Sequence, residues 1–380
     1  MDNTREDLGP WLRLTLTPGV GSETTRRLLA SFGQPDAIFG QTETALRHIV
    51  SNAQARALLT PPEGLTPLID DTLQWLHAAT PEVQRTVVTL GDADYPAPLL
   101  HIPDPPLMLY ALGQTRALGL LQREQAIAMV GSRNPTPQGA ANAREFARSL
   151  AASGLTVVSG MALGVDGAAH DGALLGSPAG ALATLAVVGT GLDRVYPRQH
   201  RELAHRIAQN GLILSEYPLG TPPLAPNFPR RNRLISGLSQ ATLVVEAALQ
   251  SGSLITAKQA LEQGRDVLAL PGSIHSTQSK GCHALIKQGA KLVESAQDVL
   301  EELRLPDPFA QVPLALTPNS SPDNEDALLR LMGHDPVSLD ALQARCGWPT
   351  AQLQAQLLEL ELMGQLGRLP GGLFQRIGTA

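Results

Sequence analysis

Between about residues 125 and 300, short apolar runs alternate with longer segments of helical period. Residues 126–130, 155–158, 183–188, 212–214, 242–245, 267–270 and 291–293 are each strand-length and apolar at consecutive positions, not at every second one. A strand of that kind buries both faces, as strands do in a parallel sheet covered by helices on each side. The segments between them, 138–153 and 200–210 for example, have the period and length of helices. Strand and helix in alternation predict a Rossmann-like, doubly wound, mostly parallel α/β sheet.

The flanks have a different texture. Residues 1–85 read as short helices interrupted at Pro18-Gly19, Gly33, Gly40 and Pro61-Pro62. A proline-rich connector follows (Tyr95-Pro96-Ala97-Pro98, then Pro103-Asp104-Pro105-Pro106) at the start of a central domain expected to span 86–304. A linker rich in Pro, Asn and Ser covers 305–324. Residues 325–380 read as three helices and a hairpin punctuated by Gly364, Gly367 and Pro370-Gly371-Gly372. The chain has no internal repeat and no low-complexity tract.

Length and composition narrow the classes. At 380 residues the chain has material for two or three domains with their own cores. Aromatic residues are only 3% of it, so nucleic-acid binding would have to lean on backbone contacts more than on base stacking. The formal charge of -6 excludes a protein that is basic throughout, but binding follows local clusters of Arg and Lys, not their sum. Cys282 and Cys346 are too few for a disulfide framework and lack metal-ligand spacing, which predicts a reducing compartment and no metal. The N-terminus has no signal-peptide pattern, and no apolar stretch approaches the roughly 20 residues of a membrane helix. A cytoplasmic protein with no membrane partner is expected.

Glycine and serine mark the edge where chemistry should sit. Gly131-Ser132-Arg133, Ser159-Gly160-Met161, Gly189-Thr190-Gly191, Ser251-Gly252-Ser253 and Pro271-Gly272-Ser273 each follow a predicted strand. Ligands of open α/β sheets bind beyond the carboxyl ends of strands, where helix N-termini also point. Small residues let backbone N–H groups approach an anion, so these runs together predict a phosphate site, although tight turns explain any one of them. The P-loop pattern G-x-x-x-x-G-K-[ST] is absent, as is G-x-G-x-x-G after the first strand, where Arg133 stands.

Cations concentrate in Phe228-Pro229-Arg230-Arg231-Asn232-Arg233. Guanidinium groups suit bidentate phosphate contact, and cations at a helix start oppose the dipole and ask for an anion. Arg230 and Arg233 share a helix face and Arg231 points elsewhere. The segment from Ser251 to Lys258 is a second candidate: Ser251 or Ser253 caps a helix, with Thr256 and Lys258 near its opening, unless it is a plain cap with Lys258 in solvent. The catalytic candidates are Asp166 with His170, one helical turn apart, and Glu216 and Glu246 at strand ends. No nucleophile elbow or metal constellation accompanies them.

The motifs VGSRNPTPQG, SGMALGVDGAAH, GTGLDRVYPRQH, SEYPLGTPP, FPRRNRLISGLS, VVEAALQSGSLITAKQALEQGRDVLALPG and GCHALIKQGA follow one another through 125–295. Together they resemble the DNA-processing protein A (DprA/Smf) family. Thr17-Pro18-Gly19-Val20-Gly21 before residues 22–32 resembles a helix-hairpin-helix element of a SAM-like domain, and 325–378 resemble the family's winged-helix tail. The resemblance implies a single-stranded-DNA-binding recombination mediator with neither catalytic activity nor cofactor. Such a protein dimerises through the Rossmann-like domain, protects incoming strands and loads RecA during natural transformation.

Carried over by motif, Arg133, Arg231, Asn232 and Arg233 contact DNA, with Gly131, Ser132, Gly252, Ser253 and Thr256 on the same edge. Arg230 and Lys258 join them from the residue pattern. Leu163 departs from an arginine usual in the family, and His283 from an asparagine. The alternative is a nucleotide phosphoribohydrolase on a related fold, using Glu216 or Glu246. Arg26 and Arg27 read equally as phosphate contacts or as structural residues. Residues 350–363, at the recognition-helix position, carry Glu359 and Glu361 and no cation, which predicts a protein-contact or dimer-supporting role.

Overall fold

The computed structural model describes residues 3–121, 125–303, 327–333 and 335–377. Among these, nine strands share one sheet: β1 (Gln84–Thr89), β2 (Met108–Gly113), β3 (Ala126–Val130), β4 (Thr156–Ser159), β5 (Thr184–Val187), β6 (Leu212–Ser215), β7 (Ala241–Val244), β8 (Asp266–Ala269) and β9 (Lys291–Leu292). Their spatial order is β1-β2-β6-β5-β4-β3-β7-β8-β9. The strands from β6 across to β9 run parallel, and β1 and β2 add an antiparallel pair at one edge.

Six helices precede the sheet: α1 (Arg5–Leu16), α2 (Ser22–Phe32), α3 (Pro35–Phe39), α4 (Glu43–Arg47), α5 (Asn52–Leu59) and α6 (Leu65–His77). Seven more accompany its strands: α7 (Pro137–Ala152), α8 (Val165–Gly176), α9 (Arg201–Asn210), α10 (Asn227–Gly237), α11 (Gly252–Glu262), α12 (Lys280–Lys287) and α13 (Ala296–Glu302). The C-terminal part holds α14 (Ala327–Met332), α15 (Leu339–Cys346) and α16 (Thr350–Leu362) with β10 (Val337–Ser338), β11 (Leu366–Leu369) and β12 (Leu373–Arg376), a three-stranded sheet in the order β10-β12-β11. This is the winged-helix arrangement the sequence predicts.

Burial explains the apolar runs. Every residue of β3 to β7 is buried. In β3, Ile127 and Met129 face a layer with Phe146 of α7 and Val165 and Ala169 of α8. Ala126, Ala128 and Val130 face the opposite layer, with Leu234 of α10 and Ala257 of α11. Strands β4, β5 and β6 extend to one side of β3, and β7, β8 and β9 to the other. The strand order therefore reverses between β3 and β7, and the loops leaving their carboxyl ends diverge to open a crevice there.

The pair β1–β2 is the main departure from the predicted organisation. The proline-rich connector is an excursion between two paired strands, and β1 begins at Gln84, inside the stretch read as purely helical. Val87, Val88 and the run 108–111 are buried, but the prolines around them dominate the local sequence. Pairing of β2 with β6, more than a hundred residues downstream, and of β1 with β2 is what makes them strands. The expected linker at 305–324 lies outside the described residues.

Candidate nucleic-acid interface

A cleft of about 740 Å³ opens at the β3/β7 crossover, and its walls come from the loops after β3, β4 and β7 and from α10 and α11. The turn after β3 is shaped by absent atoms. A Cβ on Gly131 would stand 2.7 Å from a methyl group of Val165, so only glycine lets α8 pack against this turn. Ser132 is buried and its hydroxyl accepts from the Asn134 N–H at 3.1 Å, folding the chain toward the N-cap of α7. Arg133 is exposed, with its guanidinium 5.6 Å from the centroid of the Phe228 ring, a cation–π distance.

The opposite wall is the start of α11. The Ser251 hydroxyl accepts from the Ser253 N–H and lies 2.6 Å from the Ser253 hydroxyl. A Cβ on Gly252 would meet no atom within 4 Å, so this backbone borders open space. Ser253 and Thr256 are buried and line the cleft. First-turn N–H groups at the head of a helix attract anions.

Arg231 forms the floor at 4% exposure. Its Nη1 donates to the carbonyl oxygens of Gly160, at 2.7 Å, and Val187, at the ends of β4 and β5, and its Nε donates to Asn232 Oδ1 at 3.0 Å. Its Nη2 lies against the Cα of Gly160, and no hydrogen bond from it is seen among the described residues. Burial lowers its pKa to about 10, against the pull of Asp166 and with a further push from Arg133, so it stays charged at neutral pH. Burial raises the pKa of the Asp166 carboxyl, opposed by Arg231 and by the Ala162 N–H that it accepts at 3.2 Å.

Of the predicted residues, Gly131, Ser132, Arg133, Arg231, Asn232, Gly252, Ser253 and Thr256 all line this cleft. Three others are not among the groups that line it. Arg233 turns to the far side of α10, where both terminal nitrogens meet Glu216 at 2.6 Å and Nε lies 3.3 Å from Asp104 Oδ2. Burial alone would lower its pKa, but the Glu216 bonds and the two carboxylates raise it. It is an internal ion pair and not a free phosphate ligand. Arg230 is exposed on the same helix. Lys258 is exposed on α11 and pairs with Glu262 at 3.7 Å.

Two aromatic side chains missed by the sequence reading stand at the mouth. Tyr196, 44% exposed, and the half-buried Phe228 have centroids 5.6 Å apart. The low aromatic content pointed away from stacking, yet the position of Phe228 directly before Pro229-Arg230 was a usable signal.

The catalytic candidates are otherwise engaged. Glu216 is held bidentately by Arg233, and the carboxylate of Glu246 accepts the Thr136 N–H and hydroxyl at 2.9 and 2.6 Å, securing α7. Asp166 and His170 do not pair. His170 Nδ1 bonds Thr184 Oγ1 at 2.7 Å, and burial holds its ring neutral with a pKa lowered to about 3. No cluster of three His, Cys, Asp or Glu suited to a metal occurs among the described residues. Of the departures from the family pattern, Leu163 is 39% exposed and His283 Nε2 lies 2.9 Å from the carbonyl oxygen of Gly272.

The flanking arginines have protein partners. Arg26 meets Asp104, and Arg27 donates to the Ile49 carbonyl at 3.0 Å, which favours the structural reading of the N-terminal hairpin. On α16, Leu358 and Leu362 are exposed and Glu361 pairs with Arg368 at 2.9 Å. No helix of the described residues is long and apolar enough to cross a membrane.

Comparison with known proteins agrees with this geometry. The sequence matches the family model for DNA recombination-mediator protein A over residues 86–304 and that for the DprA winged helix domain over 312–372. It is 40% identical to Protein Smf of Escherichia coli (strain K12) over 376 residues, 95% of this chain and 94% of that protein. The X-ray structure of DNA processing protein A from Streptococcus pneumoniae superposes with a TM-score of 0.65 at 35% identity, covering 80% of this chain and 99% of the other. The Helicobacter pylori protein, solved for its single-stranded DNA binding mode, superposes at 0.51 and 33% identity, covering 58% and 96%.

Proposed function

The chain belongs to the DNA recombination-mediator protein A family, and on that premise we propose that the β3/β7 cleft binds single-stranded DNA. The observation that carries this reading is the joint placement of Arg133 beside Phe228, the Arg231 guanidinium and the head of α11 around one crevice. Phosphate oxygens take the Arg133 and Arg231 guanidinium groups and the hydroxyl donors of Ser132, Ser253 and Thr256, with Gly131 and Gly252 allowing close approach and Asn232 adding a polar contact. Arg230, exposed on the same helix, adds positive charge. A base unstacked from its neighbours lies against Tyr196 and Phe228. Stacking of that kind requires a free base face, which a duplex withholds and a single strand offers.

In the wider reading the protein is a cytoplasmic mediator without a catalytic step. It protects incoming single strands during natural transformation, loads RecA onto them and dimerises through the Rossmann-like domain. Resemblance to the named relatives supports this, and the engaged state of Glu216, Glu246, Asp166 and His170 leaves the phosphoribohydrolase alternative without a free base. The test is fluorescence anisotropy with oligo-dT at several salt concentrations, with duplex as competitor. Salt-dependent binding that favours the single strand is expected. Equal affinity for duplex, or release of free base from a nucleoside monophosphate, would overturn it.

A further inference from the structure

Four charged side chains from separate parts of the chain form one relay behind the cleft. Arg26 of α2 leaves the N-terminal helical domain, meets Asp104 Oδ1 at 2.5 Å and donates to the Pro105 carbonyl at 3.2 Å. Asp104 lies on the proline-rich excursion between β1 and β2. Its second oxygen holds Arg233 of α10 at 3.3 Å, and its backbone carbonyl accepts from Arg233 Nε at 3.0 Å. Arg233 closes on Glu216, one residue beyond β6, with two bonds of 2.6 Å. The excursion is itself braced by the buried Tyr95, whose hydroxyl donates to the Pro106 carbonyl at 2.8 Å.

What this relay grips is the helix that carries the cleft floor. Nothing caps the N-terminus of α10 through a side chain and residues 222–226 before it are exposed, but its first residue, Asn227, is buried and its Nδ2 donates to the Gly189 carbonyl at 3.1 Å. Arg231 and Arg233 stand two residues apart, about 200° around a helix. One is anchored to the ends of β4 and β5, the other to Asp104 and Glu216. Two anchors on opposite sides fix the rotation of α10, and any turn that releases Arg233 also moves Arg231.

We propose that Arg26, Asp104 and Arg233 are positioning residues for the cleft, so that docking of the N-terminal helical domain sets its affinity for single-stranded DNA. This rests on the reading of the cleft given above. Coupling of this kind is reciprocal: a bound strand tightens domain docking by the factor that docking tightens binding.

The experiment uses the full chain and oligo-dT, with anisotropy at several salt concentrations. Arg26→Ala and Asp104→Asn are expected to weaken binding about 5- to 10-fold, within the usual range of coupling between sites. The salt slope should not change, because no phosphate contact is lost, whereas Arg133→Ala lowers it by about one. Arg26→Lys, which keeps the charge without the forked reach to both Asp104 and the Pro105 carbonyl, should show an intermediate loss and guards against a folding defect. Proteolysis at the exposed segment 79–82 between α6 and β1 reads the reverse direction. Oligo-dT should slow cleavage in the unmodified chain and not in Arg26→Ala. Unchanged affinity in Arg26→Ala, a lowered slope, or cleavage indifferent to oligo-dT would overturn the coupling alone. Failure of the unmodified chain to bind would overturn the cleft reading and this coupling together.

Discussion

The carbonyl oxygen of Gly160 accepts a 2.7 Å hydrogen bond from Arg231, while the Arg231 Nη2 occupies the space where a Gly160 side chain would begin. A Cβ on Gly160 would also come within 2.7 Å of Asp166 Oδ2. The cleft floor therefore depends on a glycine that is not itself a ligand. Gly160→Ala is expected to displace a pinned guanidinium, destabilise the fold by about 1–3 kcal/mol as overpacking does, and weaken oligonucleotide binding. Urea unfolding and anisotropy read the two effects, and unchanged values in both would contradict the placement of Arg231.

Arg133 should behave in the opposite way. It is exposed, and its guanidinium stands over the Phe228 ring, so Arg133→Ala is expected to leave stability within about 0.5 kcal/mol, the ordinary range for a surface change. It should weaken binding to all oligonucleotides alike and reduce the slope of log affinity against log salt by about one. A sequence-dependent loss would point to base reading instead of phosphate contact.

Arg233 is predicted to be a stability residue first. Arg233→Ala strands Glu216, 14% exposed, beside Asp104, and breaking a buried pair from one side costs roughly 3–5 kcal/mol. The partial exposure places the expected value at the lower end. Chemical denaturation of the full chain measures it, and a change below about 1 kcal/mol, the worth of an ordinary surface pair, would show the pair to be ornamental.

His170 makes the fold acid-sensitive. Its pKa is lowered from 6.5 to about 3 by burial, so the unfolded chain takes up a proton that the folded chain refuses. The stability held by the neutral ring is fully present above pH 6.5 and declines as pH falls toward 3, by about 1.4 kcal/mol per unit. Denaturation midpoints between pH 7 and 4 should show this decline, and His170→Gln should flatten it. An equal slope in the variant would assign the acid sensitivity to other groups.

Much of this molecule was legible in the order of its residues. The runs at 126–130 and 242–245 announced strands buried on both faces, because a strand with apolar residues at every position has no face to give to water. Glycine and serine after those runs marked the edge that carries the cleft, because close backbone approach requires small side chains wherever the strands lie. Tyr196 escaped notice because its distance from Phe228 is set by the packing of the loop after β5 against the start of α10, not by spacing along the chain.

The arginines of α10 show where such reading stops. Helical period alone separated Arg231 from Arg230 and Arg233. Which of them would face the cleft depended on what packs against each side of the helix. Asp104 stands 129 residues from Arg233 along the chain, and the carbonyls that hold Arg231 lie at Gly160 and Val187. Local sequence determined the strands, the turns and the edge that carries the cleft, since these follow from side-chain size and period. The destination of each charge was decided only by tertiary structure, because a buried guanidinium goes wherever distant oxygen atoms offset its loss of water.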